Sequence, residues 1–174
     1  MAHVPVGLIA AVAENGVIGA AGSIPWRLST DMRRFKQLTT GKPLIMGRKT
    51  AQSLASPLSD RTNIVLSSRE LAEAGFIRVT SVDEAFAVAE EDATVTGADE
   101  IMIIGGGEIY AATLPRANRL YITQVAASPE GDTHFPDVDW SEWREVSREA
   151  VPAGERDSHA STFIIFERTR ASDA

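Results

Sequence analysis

Four short apolar runs mark out the first two thirds of this chain, and a glycine or polar turn follows each of them directly. They cover residues 4–13, 43–46, 63–66 and 101–104. Near-continuous apolar runs of this length are typical of strands that are covered on both faces. Helical segments alternate with these strands, and this alternation predicts right-handed crossovers and a mainly parallel sheet.

The remaining segments complete a predicted α/β fold. Residues 76–80, 120–125, 143–151 and 162–168 have strand character, and the last two predict an antiparallel pair. A capping box, Ser81 to Glu84, begins a helix, and residues 108–114 predict another. We therefore expect one domain over residues 1–174, with a core at about 4–169. Its mainly parallel central sheet would have about eight strands, with an antiparallel C-terminal strand pair and about four flanking helices.

Composition excludes several classes of site. The chain has no cysteine, which rules out disulfides and thiolate metal sites, and its three histidines are scattered without ligand spacing, so we expect no metal. A net charge of −7 argues against a nucleic-acid surface. No apolar stretch approaches the length of a membrane span, and no secretory leader is evident. These features predict a soluble, cytoplasmic protein that binds neither nucleic acid nor membrane.

An acidic residue interrupts the apolar side of the first predicted helix. Leu28, Met32, Phe35 and Leu38 recur at helical spacing, and Asp31 falls inside their stripe. One interpretation is an ordinary first-turn acid, with Ser29 or Thr30 as the helix cap. The other is a half-buried carboxylate whose partner is a ligand. The glycine-rich loop at 16–23 and the Pro-Trp pair at 25–26 favour a pocket wall, and hence the second interpretation.

Three turns after predicted strands have the composition of phosphate sites. They are Gly47 to Thr50, Ser67 to Arg69, and Gly105 to Gly107, the last before a predicted helix. Backbone N–H groups at a helix start, hydroxyls and guanidinium groups all suit phosphate oxygens. Each turn alone is also compatible with a solvated basic turn or a tight glycine turn, and no GxGxxG fingerprint is present. Because ligands of parallel sheets bind at the carboxyl ends of strands, the three turns predict one extended ligand.

Several motifs, taken together, resemble those of bacterial chromosomal-type dihydrofolate reductases. They occur in the order and spacing of that family across residues 5–168. They are GVIG at 16–19, IPW at 24–26, Asp31 with Phe35, IMGRKT at 45–50, RTNIVLS at 61–67, IGGGEIY at 104–110 and GDTHFP at 131–136.

The resemblance implies an NADPH-dependent reduction of 7,8-dihydrofolate to tetrahydrofolate, as used in one-carbon and thymidylate metabolism. Asp31 would bind the amino group and ring nitrogen of the pteridine and favour protonation of the imine that accepts hydride. Trp26 and Thr123 would support this acid, and Arg61 would bind the glutamate tail. The other substrate contacts implied are Ile9, Met32, Phe35, Leu54 and Ile104.

The resemblance also implies a path for NADPH along the strand ends. Asp132 would steady the glycine loop that covers the cofactor. The implied cofactor contacts are Ala11, Val17, Ile18, Gly19, Ala20, Ala21, Gly22, Ser23, Gly47, Arg48, Lys49, Thr50, Ser67, Ser68, Arg69, Gly105, Gly106, Gly107, Glu108, Ile109 and Tyr110.

The chain departs from the family pattern between positions 51 and 60. Ala51 stands where an aromatic residue is usual, Ala55 and Ser56 replace a Gly-Arg pair, and Asp60 replaces a glycine. Ser56 removes a cation from the rim that binds the folate tail, and Asp60 adds an acid beside Arg61. We expect weaker or differently tuned folate binding with an unchanged reaction.

Three alternative functions stay open on the sequence. Another NADPH reductase of the same fold, acting on riboflavin-pathway pyrimidines, would share the triple-glycine region. Such reductases resemble this chain less at Pro25-Trp26 and Asp31. A non-catalytic nucleotide-binding module would have no use for Asp31, and a purely structural protein would use its glycines only as turns. The folate reaction also predicts a monomer that diaminopyrimidine and pteridine antifolates inhibit.

Overall fold

The computed structural model describes residues 4–19, 24–54, 56–71 and 74–169, and these residues form an eight-stranded sheet and a two-stranded one. The strands of the described chain are β1 (Val6–Ala13), β2 (Val17–Gly19), β3 (Pro43–Gly47), β4 (Thr62–Leu66), β5 (Phe76–Val79), β6 (Ile101–Gly105), β7 (Arg119–Val125), β8 (Thr133–His134), β9 (Trp143–Val151) and β10 (Ser161–Arg168).

The large sheet has the order β5-β4-β3-β6-β1-β7-β10-β9. Its first six strands are parallel, and β10 pairs antiparallel with both β7 and β9. The predicted α/β class, the mainly parallel sheet and the antiparallel C-terminal pair are therefore confirmed. Because β6 lies between β3 and β1, the turns after these strands become neighbours.

Four α-helices flank the sheet within the described residues: α1 (Ser29–Thr39), α2 (Arg48–Ser53), α3 (Val82–Thr96) and α4 (Gly107–Thr113). Two short 3₁₀ turns cover Leu114–Arg116 and Trp140–Glu142. Ser81 caps α3 by accepting a 3.1 Å hydrogen bond from the N–H of Glu84. The Glu84 carboxylate accepts from the N–H of Thr80, one residue before the partner that a standard capping box predicts.

Apolar side chains cover both faces of the central strands, as their sequences predict. Leu8 on β1 and Ile103 on β6 belong to one cluster, which packs against Phe86 of α3 and Ile109 of α4. Met46 and Met102 belong to the other cluster, against which part of α1 packs. None of the described helices is long and apolar enough to cross a membrane.

Three local predictions need correction. Part of the predicted glycine loop is strand β2, which pairs with β8, while residues 20–23 lie outside the described chain. The segment from Gly47 to Thr50, which was predicted as a turn, contains the first residues of helix α2, which begins at Arg48. Met32, which was expected on a buried stripe, is 61% exposed because its own side chain lines a cavity beside α1.

Candidate active site

The carboxyl ends of β4, β3, β6 and β1 lie side by side at one edge of the sheet. The turns predicted to bind one extended ligand follow three of these strands. Met46 on β3 is the register partner of Gly105 on β6. A β-carbon on Gly106 would lie 3.8 Å from the hydroxyl oxygen of Thr50. The structure therefore brings the basic turn and the triple-glycine turn into direct proximity.

Asp31 lies in the first turn of α1 and faces β7. Its carboxylate accepts a 2.5 Å hydrogen bond from the hydroxyl of Thr123, a side chain that is only 3% exposed. Burial raises the pKa of Asp31 above its ordinary value. The Thr123 hydrogen bond and the Arg34 charge oppose this rise, and the Asp157 charge adds to it. The result is a carboxylate held in one place by a strand and a helix.

A cavity of about 490 Å³ opens beside Asp31. Its wall comes from the end of β1, the segment before α1 and the exposed side of the first turns of α1. Trp26 and Met32 supply apolar surface next to the acid. The residues around it are Ala11, Ile24, Trp26, Arg27, Leu28, Ser29, Asp31, Met32 and Arg33.

The other apolar residues predicted to contact substrate belong to one cluster. Ile9 is buried in it, and the partly buried side chains of Phe35, Leu54 and Ile104 pack against it. These residues come from β1, α1, the end of α2 and β6. None of these four residues is among those that line the cavity beside Asp31, so the structure groups them with one another and not with the acid.

Tyr110 connects the glycine turn to β1. Its hydroxyl donates a 2.6 Å hydrogen bond to the carbonyl oxygen of Ile9, and burial raises the pKa of the phenol. Gly105 has a φ of +111°, and a β-carbon there would lie 3.0 Å from the Tyr110 hydroxyl. Glycine is therefore required at this position both by the backbone conformation and by the close approach of the ring. Ile109 is also buried, whereas Glu108 is exposed.

The β2–β8 pair covers the start of α4. A β-carbon on Gly107 would lie 3.0 Å from the methyl group of Thr133 and 3.8 Å from the Ile18 side chain. Asp132 donates its backbone N–H to the carbonyl oxygen of Gly19 at 3.1 Å. The predicted contact between Asp132 and the glycine loop thus exists through the backbone. Val17 is buried, and Ala20, Ala21, Gly22 and Ser23 lie outside the described residues.

Hydrogen bonds within the turn stabilise residues 67–69, which follow β4. The Ser67 hydroxyl donates to the carbonyl oxygen of Arg69 at 2.7 Å and accepts from its N–H at 3.1 Å. Arg78 on β5 donates to the carbonyl oxygens of Ser67 and Ser68. Ser68 and Arg69 are exposed, Arg48 is half-buried, and Lys49 is exposed. Hydrogen bonds therefore fix the backbone of the turn and the buried Ser67 hydroxyl, while Ser68 and Arg69 remain exposed.

Arg61 lies at the far end of α1 from Asp31. Its guanidinium donates to the Thr39 hydroxyl at 3.0 Å and to the Ser59 carbonyl oxygen at 2.8 Å. Thr39 is eight positions after Asp31, which at the helical rise is about 12 Å. Asp60 has a φ of +59°, the conformation that explains why glycine is usual there. Burial lowers the pKa of Arg61, and the Asp60 charge opposes this shift.

The prediction that Ser29 or Thr30 caps α1 is wrong. Leu28 occupies the cap position and supplies no side-chain hydrogen bond. Instead, Asp157 accepts from the N–H of Thr30 at 3.1 Å and from its hydroxyl at 2.8 Å. Thr30 has turned its hydroxyl toward a carboxylate that lies 127 residues later in the chain.

Sequence reasoning missed three residues that support this site: Arg34, Arg78 and Asp157. Arg34 could have been found, because its three-residue spacing from Asp31 puts both on one helix face. Arg78 and Asp157 had no local signal. Their contacts exist only after β5 has paired with β4, and after the β9–β10 turn has met α1.

A second cavity, of about 440 Å³, lies at the opposite edge of the sheet, between Pro5, Asn118 and Arg168. Four of its five charged lining residues form ion pairs with other described residues. Glu100 pairs with Lys42, and Arg119 pairs with Glu167. Glu100 also accepts from the Tyr121 hydroxyl, and burial raises the pKa of that phenol to about 12. These mutual pairs make the second cavity a weaker candidate than the one beside Asp31.

Known proteins resemble this chain over nearly its whole length. The sequence model of the dihydrofolate reductase family matches residues 5–168. The type 3 dihydrofolate reductase of Salmonella typhimurium is 44% identical over 95% of this chain and 99% of its own length. Haemophilus influenzae dihydrofolate reductase is 42% identical over 92% of this chain and 97% of its own.

A solved structure agrees with these sequence relatives. Enterococcus faecalis dihydrofolate reductase, complexed with NADP(H) and RAB-propyl, superposes with a TM-score of 0.86. It is 32% identical, and the superposition covers 97% of this chain and 98% of the other. The sequence, the sheet order and the cavity beside a held carboxylate agree with this result, and the chain belongs to the dihydrofolate reductase family.

Proposed function

We propose that Asp31 is the residue on which catalysis depends as this enzyme reduces 7,8-dihydrofolate to tetrahydrofolate with NADPH. The observation that carries this proposal is the position of its carboxylate, which lines the cavity and is held by the Thr123 hydroxyl at 2.5 Å. A carboxylate that is partly removed from water binds a cationic or N–H-rich ring more strongly than an exposed one does.

Asp31 accepts hydrogen bonds from the exocyclic amino group and the adjacent ring nitrogen of the pteridine. Its negative charge favours a proton on the imine nitrogen beside the carbon that receives hydride. That proton and the hydride together convert the C=N bond into a CH–NH bond, so the charge on the ring is neutralised. Trp26 and Met32 limit water on the open side of the cavity, and Thr123 keeps the carboxylate in one orientation.

The residues at the strand ends fit a dinucleotide cofactor. Bound NADPH supplies the hydride, so the protein has to orient two rings and assist one proton. Gly106 and Gly107 at the start of α4 are partly exposed and have no β-carbon, so a phosphate can approach their backbone. Arg48 makes no ion pair with any described residue, which leaves its charge available for a phosphate of the cofactor.

Arg61 binds the glutamate tail in this proposal. Its distance of about 12 Å along α1 from Asp31 separates the two ends of an elongated substrate. We further propose that the enzyme is a monomer, as the family resemblance of its sequence implies. Cysteine is absent, as suits a reducing compartment, and we place the enzyme in the cytoplasm.

Diaminopyrimidine and pteridine antifolates should compete for Asp31, because they present the same amino and ring nitrogen pattern.

NADPH oxidation with dihydrofolate, measured for the wild type and for Asp31→Asn, tests the assignment. An acid–base contribution is typically worth about a hundredfold or more in rate. We expect a loss of that size at neutral pH, with unchanged circular dichroism. Near-native turnover of Asp31→Asn would remove Asp31 from the reaction. If the wild type instead reduced a pyrimidine of the riboflavin pathway and left dihydrofolate unchanged, the alternative pyrimidine reductase function would be favoured.

A further inference from the structure

Three side chains form a row across the antiparallel end of the sheet. Thr123 on β7 is the register partner of Phe163 on β10, and Phe163 is the register partner of Glu149 on β9. Directly opposed residues in neighbouring strands point to the same face of a sheet. We call these side chains the Thr123–Phe163–Glu149 row.

Helix α1 lies on this row through two residues. Asp31 accepts the hydrogen bond from Thr123, as described above. Arg34, three positions later, places its guanidinium carbon 4.2 Å from the centre of the Phe163 ring. Nη2 of Arg34 donates to Glu149 at 3.2 Å. Asp31 thus contacts the first member of the row, and Arg34, on the same face of the helix, contacts the other two.

The turn between β9 and β10 holds the start of the same helix. Asp157 accepts from both the N–H and the hydroxyl of Thr30, and also from the N–H of Gly154 in its own turn. Ser158 donates its N–H to the carbonyl oxygen of Arg27 at 2.6 Å and accepts from the Arg27 N–H at 2.9 Å. The cap residue of α1 supplies no side-chain hydrogen bond, so the first turn of the helix depends on the hydrogen bonds from the β9–β10 turn.

We propose that Arg34 and Asp157 are positioning residues for Asp31, which hold the helix turn that carries it between the β9–β10 hairpin and the Thr123–Phe163–Glu149 row. Neither residue lines the cavity, so each acts through Asp31 and touches no ligand. The proposal rests on the assignment of Asp31 above. It adds that the C-terminal hairpin is part of the support of the active site.

The two residues carry opposite charges, and this gives them a signature that a purely structural role lacks. Hydrogen bonds from Thr30 and Gly154 lower the pKa of Asp157, which is therefore ionised at neutral pH. Asp157 raises the pKa of Asp31, and Arg34 lowers it. Nη1 of Arg34 is buried without a hydrogen-bond partner among the described residues, so its charge is poorly screened.

The other groups facing Asp31 are accounted for. Thr123 on β7 is neutral, and the buried Tyr110 on α4 stays a neutral phenol because its pKa is raised. Arg27 and Arg33 line the same cavity but contribute no resolved shift to Asp31. Arg34 and Asp157 are therefore the charged groups whose removal should move the titration of Asp31.

The test is a titration of the Asp31 carboxyl carbon by ¹³C NMR on the full chain, with the signal assigned by its absence in Asp31→Asn. We expect Arg34→Met to raise the pKa of Asp31, and Asp157→Asn to lower it. Arg34→Lys, which keeps the charge, should restore a titration near that of the wild type. If Arg34→Met does not fold, the comparison of Asp157→Asn with Arg34→Lys still decides between a charge effect and none.

Two matched controls test whether any charge removed from this region has the same effect. Arg148→Met removes an exposed arginine of β9 that pairs with Glu145. Asp139→Asn removes an exposed aspartate that caps a 3₁₀ turn through Ser141. We expect neither control to move the Asp31 titration. Steady-state kinetics should show a loss in kcat/KM for dihydrofolate of about threefold or more in Arg34→Met, since misplacing a catalytic group costs up to about a hundredfold.

Opposite shifts for Arg34→Met and Asp157→Asn, with unmoved controls, would support the proposal. Shifts in the same direction, or the absence of a shift in one or both variants, would overturn it. The NMR readout does not depend on turnover. If the wild type failed to reduce dihydrofolate, the proposed function would fail while the titration still reported on the positioning of Asp31.

Discussion

Thr123 on β7 donates a 2.5 Å hydrogen bond to Asp31 on α1, and the two residues are 92 positions apart in the chain. The contact joins a central strand to the helix that forms the wall of the cavity. Because the hydroxyl can donate to the carboxylate only when the proton is absent from that oxygen, the bond favours the ionised form of Asp31. Thr123 is therefore expected to affect the charge of Asp31 as well as its orientation.

The first prediction is that Thr123→Val raises the pKa of Asp31 and lowers kcat/KM for dihydrofolate. A hydrogen bond to a charged group is worth about 1.5–3 kcal/mol, which corresponds to a loss of about tenfold to a hundredfold. The pH profile of kcat/KM should move to higher pH. Thr62→Val is the matched control, because Thr62 donates to Asp92 at 2.8 Å away from the cavity. A loss of kcat/KM as large in Thr62→Val would mean that the effect comes from stability.

The second prediction concerns stability. Burial raises the pKa of Asp31 in the folded state, so the folded protein binds this proton more tightly than the unfolded chain. The free-energy cost of keeping Asp31 ionised is fully present above the raised pKa. It disappears as the pH falls toward the ordinary pKa of an aspartate, 3.8. Asp31→Asn should therefore be more stable than the wild type at neutral pH, with a difference that shrinks in acid.

Urea unfolding at several pH values between neutral and about 4 measures this difference. Asp157→Asn is the contrasting variant, because the folded-state pKa of Asp157 is lowered. Its stabilising contribution is present above 3.8 and is lost as the pH falls through the lowered value, so this variant should be less stable than the wild type at neutral pH. A pH-independent gain in Asp31→Asn would contradict the burial cost.

The alternation of buried strands and helices was sufficient to predict the sheet, because apolar runs and turn residues act locally. The run at 101–104 is strand β6, and the capping residue Ser81 begins α3 as expected. The motifs around Asp31 and the triple glycine were sufficient for the family. These features share one property, which is that the residues concerned are neighbours in the sequence.

The features that the sequence did not predict depend on distant partners. The cap of α1 comes from Asp157, and no pattern near Thr30 indicates it. Strand β2 has three residues and pairs with the two-residue β8, so neither is long enough to give a periodic signal. Met32 matched an apolar stripe, but a helix beside a cavity exposes part of that stripe. A periodic apolar stripe in the sequence does not show whether that face of the helix packs into the core or lines a pocket.

The third prediction is that Arg48→Ala weakens NADPH binding more than NADH binding. Arg48 lies at the start of α2, and the 2′-phosphate is the group that distinguishes the two cofactors. A hydrogen bond to a charged group contributes about 1.5–3 kcal/mol, or about tenfold to a hundredfold in affinity. Fluorescence titration with each cofactor measures the loss. Arg144→Ala, which removes an arginine paired with Glu167 on the far strand pair, should change neither affinity. Equal losses for both cofactors in Arg48→Ala would make Arg48 structural.

The last prediction concerns the glutamate tail. Arg61→Leu should raise KM for dihydrofolate by about tenfold or more, because a charged contact worth roughly 1.5–3 kcal/mol is lost. It should hardly affect a dihydropterin that lacks the tail. Ser56→Arg restores a cation at an exposed position near the tail and should lower KM for dihydrofolate only. The four combinations of these two positions form a double-mutant cycle that is run with both substrates.

The contacts of Arg61 supply the control for this cycle. Arg61 donates to the hydroxyl of Thr39, which is buried at the end of α1. Thr39→Val removes this hydrogen bond and leaves the guanidinium in place, so it reports what the bond contributes to the fold. If Arg61 binds the tail, Thr39→Val should change KM for both substrates little, while Arg61→Leu affects dihydrofolate alone. If Arg61→Leu and Thr39→Val impair both substrates to the same extent, Arg61 supports α1 and the tail is bound elsewhere.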